Sequence, residues 1–195
     1  MEKFVLFEYQ GSECFGRYDG DRIEIIKGPY WENIEPINEF VDYDDVKLLC
    51  PVRPSKIICV GLNYHAHVEH SQSANEAPER PLIFLKPPSA LIGPGANIEY
   101  PDSVDRVDYE AELGVVIGKG GRKISQDAAM DYVFGYTCVN DVTARKVQKS
   151  DGQWTRGKGY DTFCPVGPYV VRDVDVSDVA VEAYLNGKQK QHGRT

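Results

Sequence analysis

No stretch of this 195-residue sequence approaches 18 consecutive apolar residues, and the N-terminus, Met1-Glu2-Lys3-Phe4, lacks the apolar segment of an export signal. The expectation is a cytoplasmic protein with no membrane partner. Positive charge is in deficit: 22 Lys and Arg stand against 30 Asp and Glu, for a formal net charge of -8. Such a surface argues against nucleic acid or an anionic membrane as partner. Paired cysteines are missing too. Cys14, Cys50, Cys59, Cys138 and Cys164 are odd in number and form no C-x-x-C, which excludes a disulfide framework and a thiolate zinc site and suits reduced thiols. No G-x-S-x-G elbow, no G-x-G-x-x-G after a strand and no H-E-x-x-H occurs, so serine-hydrolase, dinucleotide and zincin chemistry have no support. Gly152 to Lys158 matches G-x-x-x-x-G-K, but Gly159 stands where a P-loop needs Ser or Thr and no apolar strand precedes it. Lys158 between glycines is still notable, because glycine lets backbone approach a ligand closely. Repeats and low-complexity tracts are absent.

What is present is an ordinary globular composition, 42% hydrophobic and 27% charged, in a length suited to one good-sized domain or a main domain with a small appendage. Residues 1–50 read as a small β-rich N-terminal domain. Phe4–Phe7 is strand-like, Tyr18-Asp19-Gly20-Asp21 signals a hairpin, and Arg22–Ile26 alternates as a strand. Cys50-Pro51-Val52-Arg53-Pro54 makes a rigid exit, and the second domain is placed at 51–195. Within it, Ile57–Val60, Leu82–Lys86, Leu113–Ile117, Val133–Val139, Val166–Val171 and Ala180–Leu185 read as strands. Short helices are expected from Asn63, over Asp127–Tyr132 and over Val142–Gln148. Loop composition marks 71–81, and 149–164 is expected to be irregular. Asn186-Gly187 is a strong hairpin signal. The pattern predicts an α+β fold, mainly β. A hairpin so close to Thr195 leads to the expectation that C-terminal strands are missing.

The chemistry centres on Asp108 to Gly118. Its apolar end is a strand, while its front end alternates, placing Asp108, Glu110 and Glu112 on one face. Carboxylates so spaced repel each other and resist desolvation. A hard divalent cation would compensate, although the spacing alone slightly favours a solvated acidic edge on a half-exposed strand. His65, His67 and His70 offer a weak zinc pattern at helical spacing, and a better source for one general base. Asp141 at a strand end and Lys158 add a third carboxylate and a cation. That set suits metal-assisted reaction of a small oxyacid.

Five ordered motifs carry a family resemblance: Cys59-Val60-Gly61-Leu62-Asn63-Tyr64, Phe84-Leu85-Lys86-Pro87, Asp108-Tyr109-Glu110-Ala111-Glu112-Leu113, Asn140-Asp141-Val142-Thr143-Ala144-Arg145, and Lys158-Gly159-Tyr160-Asp161-Thr162-Phe163-Cys164-Pro165. With them the chain resembles the fumarylacetoacetate hydrolase family, in particular small bacterial and archaeal members with a short N-terminal domain, similar to 2-hydroxyhepta-2,4-diene-1,7-dioate isomerases and acylpyruvases. The resemblance implies a mixed β-roll with flanking short helices, commonly a homodimer. It implies a small-molecule 2-oxo acid substrate, processed by C–C hydrolysis, decarboxylation or keto-enol isomerisation, as in aromatic catabolism. Glu110, Glu112 and Asp141 match the family's ligands for Mg²⁺ or Mn²⁺. Lys158 matches its active-site lysine and His67 its catalytic histidine, while Tyr64, Lys86, Arg145, Gln148 and Lys158 are expected to bind substrate. Three residues after His67, where dyad-bearing members carry glutamate, stands His70. The family continues past Thr195, so a cleaved C-terminal segment is an expected completing partner. A metal-binding homologue without catalytic power is the alternative reading.

Overall fold

In the computed structural model of the protein, residues 1–64 and 78–195 are described. His65, His67, His70 and most of the expected helix and loop between Asn63 and Pro81 lie outside the described residues. The chain runs β1 (Glu2–Tyr9), β2 (Ser12–Tyr18), β3 (Arg22–Ile26), β4 (Pro36–Asp42), β5 (Lys47–Leu48), β6 (Ile57–Gly61), β7 (Leu82–Lys86), β8 (Leu91–Ile92), β9 (Val107–Asp108), β10 (Ala111–Ile117), β11 (Val133–Asn140) and β12 (Thr143–Ala144). Helices α1 (Arg145–Asp151) and α2 (Thr155–Lys158) follow, then β13 (Cys164–Arg172), β14 (Ala180–Leu185) and β15 (Lys188–Arg194). The fold is α+β and mainly β, as expected. Among the described residues no helix is long and apolar enough to cross a membrane.

A nine-stranded sheet dominates, in the order β10-β11-β13-β1-β2-β3-β4, with β5 on β1 and β8 on β13. Its pairs are antiparallel except β13 with β8, which makes it mixed. Strand β1 sits inside the sheet, so its run Phe4-Val5-Leu6-Phe7 is fully buried on both faces. Alternation sends Phe4 to a cluster with Ile26, Tyr30 and Val170, and sends Val5 and Phe7 to another with Ile23 and Val41. Burial on both faces explains why β1 reads as a continuous apolar run. The registers Glu2↔Arg172 and Phe4↔Val170 bond this N-terminal strand directly to β13.

The end of the chain that carries chemistry lies at β10. Its pairing with β11 sets Ala111 opposite Asn140 and Glu112 opposite Val139. Past β11, the short β12 pairs with β9, Thr143 opposite Asp108. Two small ribbons flank this corner: β6–β7, with Ile57 opposite Lys86, and β14–β15, with Glu182 opposite His192. The Asn186-Gly187 turn joining β14 to β15 has φ of 51° and 74°. Two successive positive φ values are the requirement of a type I′ hairpin, which Asn-Gly meets at least cost.

Two expectations are corrected. The helix expected from Val142 begins only at Arg145, because Thr143 and Ala144 are drawn into a strand pair. The stretch 149–164 is not wholly irregular: it holds the end of α1 and all of α2. Lys158 therefore stands at the end of a helical turn, not in a loop.

Candidate active site

The site forms where strand ends meet. Asp141 follows the last residue of β11, and its N–H donates to the Glu110 carbonyl at 2.8 Å. The Glu110 N–H in turn donates to Asn140 Oδ1 at 2.9 Å. These bonds lock the approach to β10 against the exit of β11 and bring two carboxylates together. Helix α1 starts four residues after Asp141, so Arg145 and Gln148, three apart, share its inner face. Arg145 Nη1 donates to Gln148 Oε1 at 2.7 Å.

Two ammonium groups enter from other elements. Lys158 Nζ donates to Glu110 Oε2 at 2.6 Å and to Asp141 Oδ2 at 2.5 Å. Lys86 Nζ, from the end of β7, donates to Asp141 Oδ1 at 2.7 Å and to the Val142 carbonyl at 3.0 Å. Both lysines are buried, with side-chain exposures of 2% for Lys158 and 0% for Lys86. A buried ammonium is tolerated only when paired and hydrogen-bonded, which both are. Lys158 also lies 5.0 Å from the centre of the Phe84 ring. Arg145 Nε donates to Asp108 Oδ2 at 2.8 Å, and its Nη2 bonds Glu110 Oε1.

Glu112 is the group left over. Glu110 faces Arg145 and Lys158, and Asp141 faces both lysines, but among the described residues Glu112 has no ion-pair partner. Burial, then the charges of Glu110 and Asp141, push its carboxyl up to about 8, against the pull of Lys158 and a hydrogen bond with Tyr64. Burial and the nearby Glu112 likewise raise Tyr64. Nearby Cys59 is driven up to about 12, chiefly by burial and then by Asp141, which favours the neutral thiol.

Glu110, Glu112, Asp141, Arg145, Gln148 and Lys158 line one cavity of about 390 Å³, together with Phe84, Trp154 and residues of β15. The volume suits a small metabolite. Tyr64 also lines the cavity, whereas Lys86 is set behind Asp141 as its counter-ion. Trp154, Asn140 and Gln191 belong to the assembly without having been expected as site residues, and Asp108, expected beside Glu110 and Glu112, pairs with Arg145. Asp108 and Asn140 lay inside the quoted motifs; Trp154 and Gln191 carried no sequence signal.

Residues 56–195 match the family described as fumarylacetoacetate (FAA) hydrolase C-terminal, and residues 2–51 match the Rv2993c-like N-terminal family. The chain belongs to the fumarylacetoacetate hydrolase family. An uncharacterised protein of Methanocaldococcus jannaschii is 52% identical over 145 residues, covering 74% of this chain and 60% of that one. The oxaloacetate tautomerase YisK of Bacillus subtilis is 44% identical over 155 residues, covering 76% of this chain and 52% of the relative. Among solved structures, the 2-hydroxyhepta-2,4-diene-1,7-dioate isomerase of Mycobacterium marinum superposes with a TM-score of 0.90 at 37% identity, over 100% of this chain and 75% of that one. The maleylpyruvate hydrolase of Sphingobium sp. SYK-6, in complex with manganese(II) and pyruvate, superposes at 0.76 and 27% identity, over 98% and 76%. The chain thus spans 52–60% of the length of these two curated relatives.

The three carboxylates of this fumarylacetoacetate hydrolase family site offer only hard oxygen donors, and among the described residues one of them, Glu112, has no cation paired with it. In atom type and charge they fit a divalent ion such as Mg²⁺ or Mn²⁺. Among the described residues, no group of three or more His, Cys, Asp and Glu side chains is gathered as a ligand shell. The Lys158 ammonium draws one oxygen each from Glu110 and Asp141.

Proposed function

We propose that this chain carries the site of a divalent-metal-dependent enzyme, using Mg²⁺ or Mn²⁺, that acts on 2-oxo and β-diketo acids through an enolate. The reaction would be C–C hydrolysis, decarboxylation or keto-enol isomerisation. The observation that carries this reading is the buried Lys158 ammonium held between Glu110 and Asp141 at the wall of a cavity, beside a Glu112 with no counter-ion among the described residues. The relatives support it. Oxaloacetate is a 2-oxo acid, a 2-hydroxydienoate is an enol, and one solved relative binds manganese and pyruvate.

Glu110, Glu112 and Asp141 would hold the cation. Bound there, it would polarise the substrate carbonyl and stabilise charge on its oxygen. The chain's own residues divide the remaining work. Lys158 is already oriented by two carboxylates and donates to the developing oxyanion, at no cost in reorganisation. Arg145, braced by Asp108 and Gln148, binds a substrate carboxylate with a rigid donor fork. Phe84 and Trp154, ring centres 5.3 Å apart, exclude water from the lysine side. His67, outside the described residues, is proposed to move the proton at the carbon next to the carbonyl.

Enol-to-keto conversion of oxaloacetate, followed by ultraviolet absorbance with Mn²⁺ and then with excess chelator, tests the reading. We expect chelation to abolish turnover and Lys158→Met to slow it by roughly 10²-fold or more. Undiminished turnover in chelator overturns the proposal. Mn²⁺ binding with no turnover of oxaloacetate or an acylpyruvate would leave a metal-binding protein without this activity.

A further inference from the structure

Strand β10 is the terminal strand of the large sheet, so among the described residues one of its edges has no neighbouring strand. The Asp141 N–H donates to the Glu110 carbonyl, and the Glu110 N–H is taken by the Asn140 side chain, so both backbone groups of Glu110 face the β11 side. In an antiparallel ladder bonded and non-bonded pairs alternate, so the N–H and C=O of Ala111 point away from β11, to the open edge. Backbone groups half-buried there need partners.

One side chain supplies both. Gln191 Oε1 accepts from the Ala111 N–H at 2.9 Å, and Gln191 Nε2 donates to the Ala111 carbonyl at 3.2 Å. A primary amide thus reproduces, at one residue, the donor–acceptor pair of a missing strand. It comes from 80 residues away in sequence. Two residues on, the Leu113 N–H donates to the Tyr64 hydroxyl at 3.4 Å. The two outward N–H groups on either side of Glu112 are therefore both held by side chains.

The arm carrying Gln191 is stiff and correctly faced. Along β15, Gln191 and Gly193 are half-buried, Gln191 against β10, whereas Lys190, His192 and Arg194 are exposed. Away from the Ala111 contact, Glu182 ties the two strands together, accepting from Tyr184 and Gln189 at 2.9 Å each and meeting His192 Nδ1 at 2.9 Å. The Asn186-Gly187 turn fixes the register.

We propose that Gln191 is a positioning residue: by closing both backbone bonds of Ala111 it sets the spacing of Glu110 and Glu112. It touches neither carboxylate, so it acts through the backbone. The inference rests on reading those glutamates as cation donors. Groups that orient donors in this way change metal affinity by about 10- to 100-fold when removed.

The test uses Gln191→Met, which keeps length without hydrogen bonds, Gln191→Glu, which keeps the acceptor for the Ala111 N–H, and Gln189→Met, away from the Ala111 contact, as a control. Amide hydrogen exchange over residues 109–113 is read in metal-free protein, and Mn²⁺ affinity by calorimetry. We expect Gln191→Met to speed exchange at Ala111 and weaken Mn²⁺ binding about 10-fold or more. Gln191→Glu should keep exchange slow, and the control should change neither. Unchanged exchange in Gln191→Met overturns the clamp. Faster exchange with unaltered Mn²⁺ affinity overturns the positioning role and leaves simple docking of the hairpin. A wild-type protein that binds no Mn²⁺ overturns the donor reading itself, a failure distinct from that of the clamp.

Discussion

Lys158 and Glu112 show opposite solutions to the same difficulty, a charge carried out of water. Lys158 finds two carboxylates and an aromatic face, whereas Glu112 finds mainly like charge and is pushed up to about 8 from an ordinary 4.5. Between these values the folded carboxyl keeps a proton that the unfolded chain has released. The folded state then binds more protons than the unfolded one, so this group's contribution falls as pH rises from about 4.5 through about 8. Metal-free protein should therefore lose stability across that window, and Glu112→Gln should flatten the loss. Urea unfolding at pH 5, 7 and 9 in chelator checks this, and equal slopes for both proteins would refute it. Glu110, Asp141 and Lys158 were legible in the sequence because each sits in an ordered motif. The substrate role expected of Lys86 was drawn from its motif alone. Position along a strand cannot tell that its ammonium lies behind Asp141 and bonds the Val142 carbonyl.

Among the elements, the contact between α1 and α2 decides where Lys158 ends up. A methyl group at Gly157 would come within 2.7 Å of the Gln148 backbone nitrogen, closer than real side chains approach. Gly157→Ala should accordingly force the two helices apart, at a cost of about 1–3 kcal/mol, and shift Lys158 from its carboxylates. Thermal unfolding and oxaloacetate turnover should fall together. Wild-type turnover in this variant would show that the close approach is dispensable. The strands were readable from alternation and from turn residues such as Asn186-Gly187. The helix α2 was not, because a four-residue turn containing glycine has little intrinsic helical preference and is held by packing and by its buried lysine.

For the molecule as a whole, a cation that binds the folded carboxylates and not the dispersed ones must raise stability by mass action. At 100 times its dissociation constant the gain is about 2.7 kcal/mol, which in a chain of this size shifts the midpoint by roughly 5–10 °C. Differential scanning fluorimetry with Mn²⁺, then with excess chelator, should show the rise and its reversal; superimposed curves would remove the site. The family, the mainly β fold and three carboxylates were determined by the sequence alone, since periodicity and motif order are local properties written along the chain. What only the tertiary structure decided is pairing across distance. β1 joins β13, Lys86 and Lys158 converge on Asp141 from separate elements, and Gln191 takes the free edge at Ala111. Which partner satisfies a buried charge or an open backbone edge depends on where the folded chain places its distant segments, and no residue's neighbours in sequence carry that information.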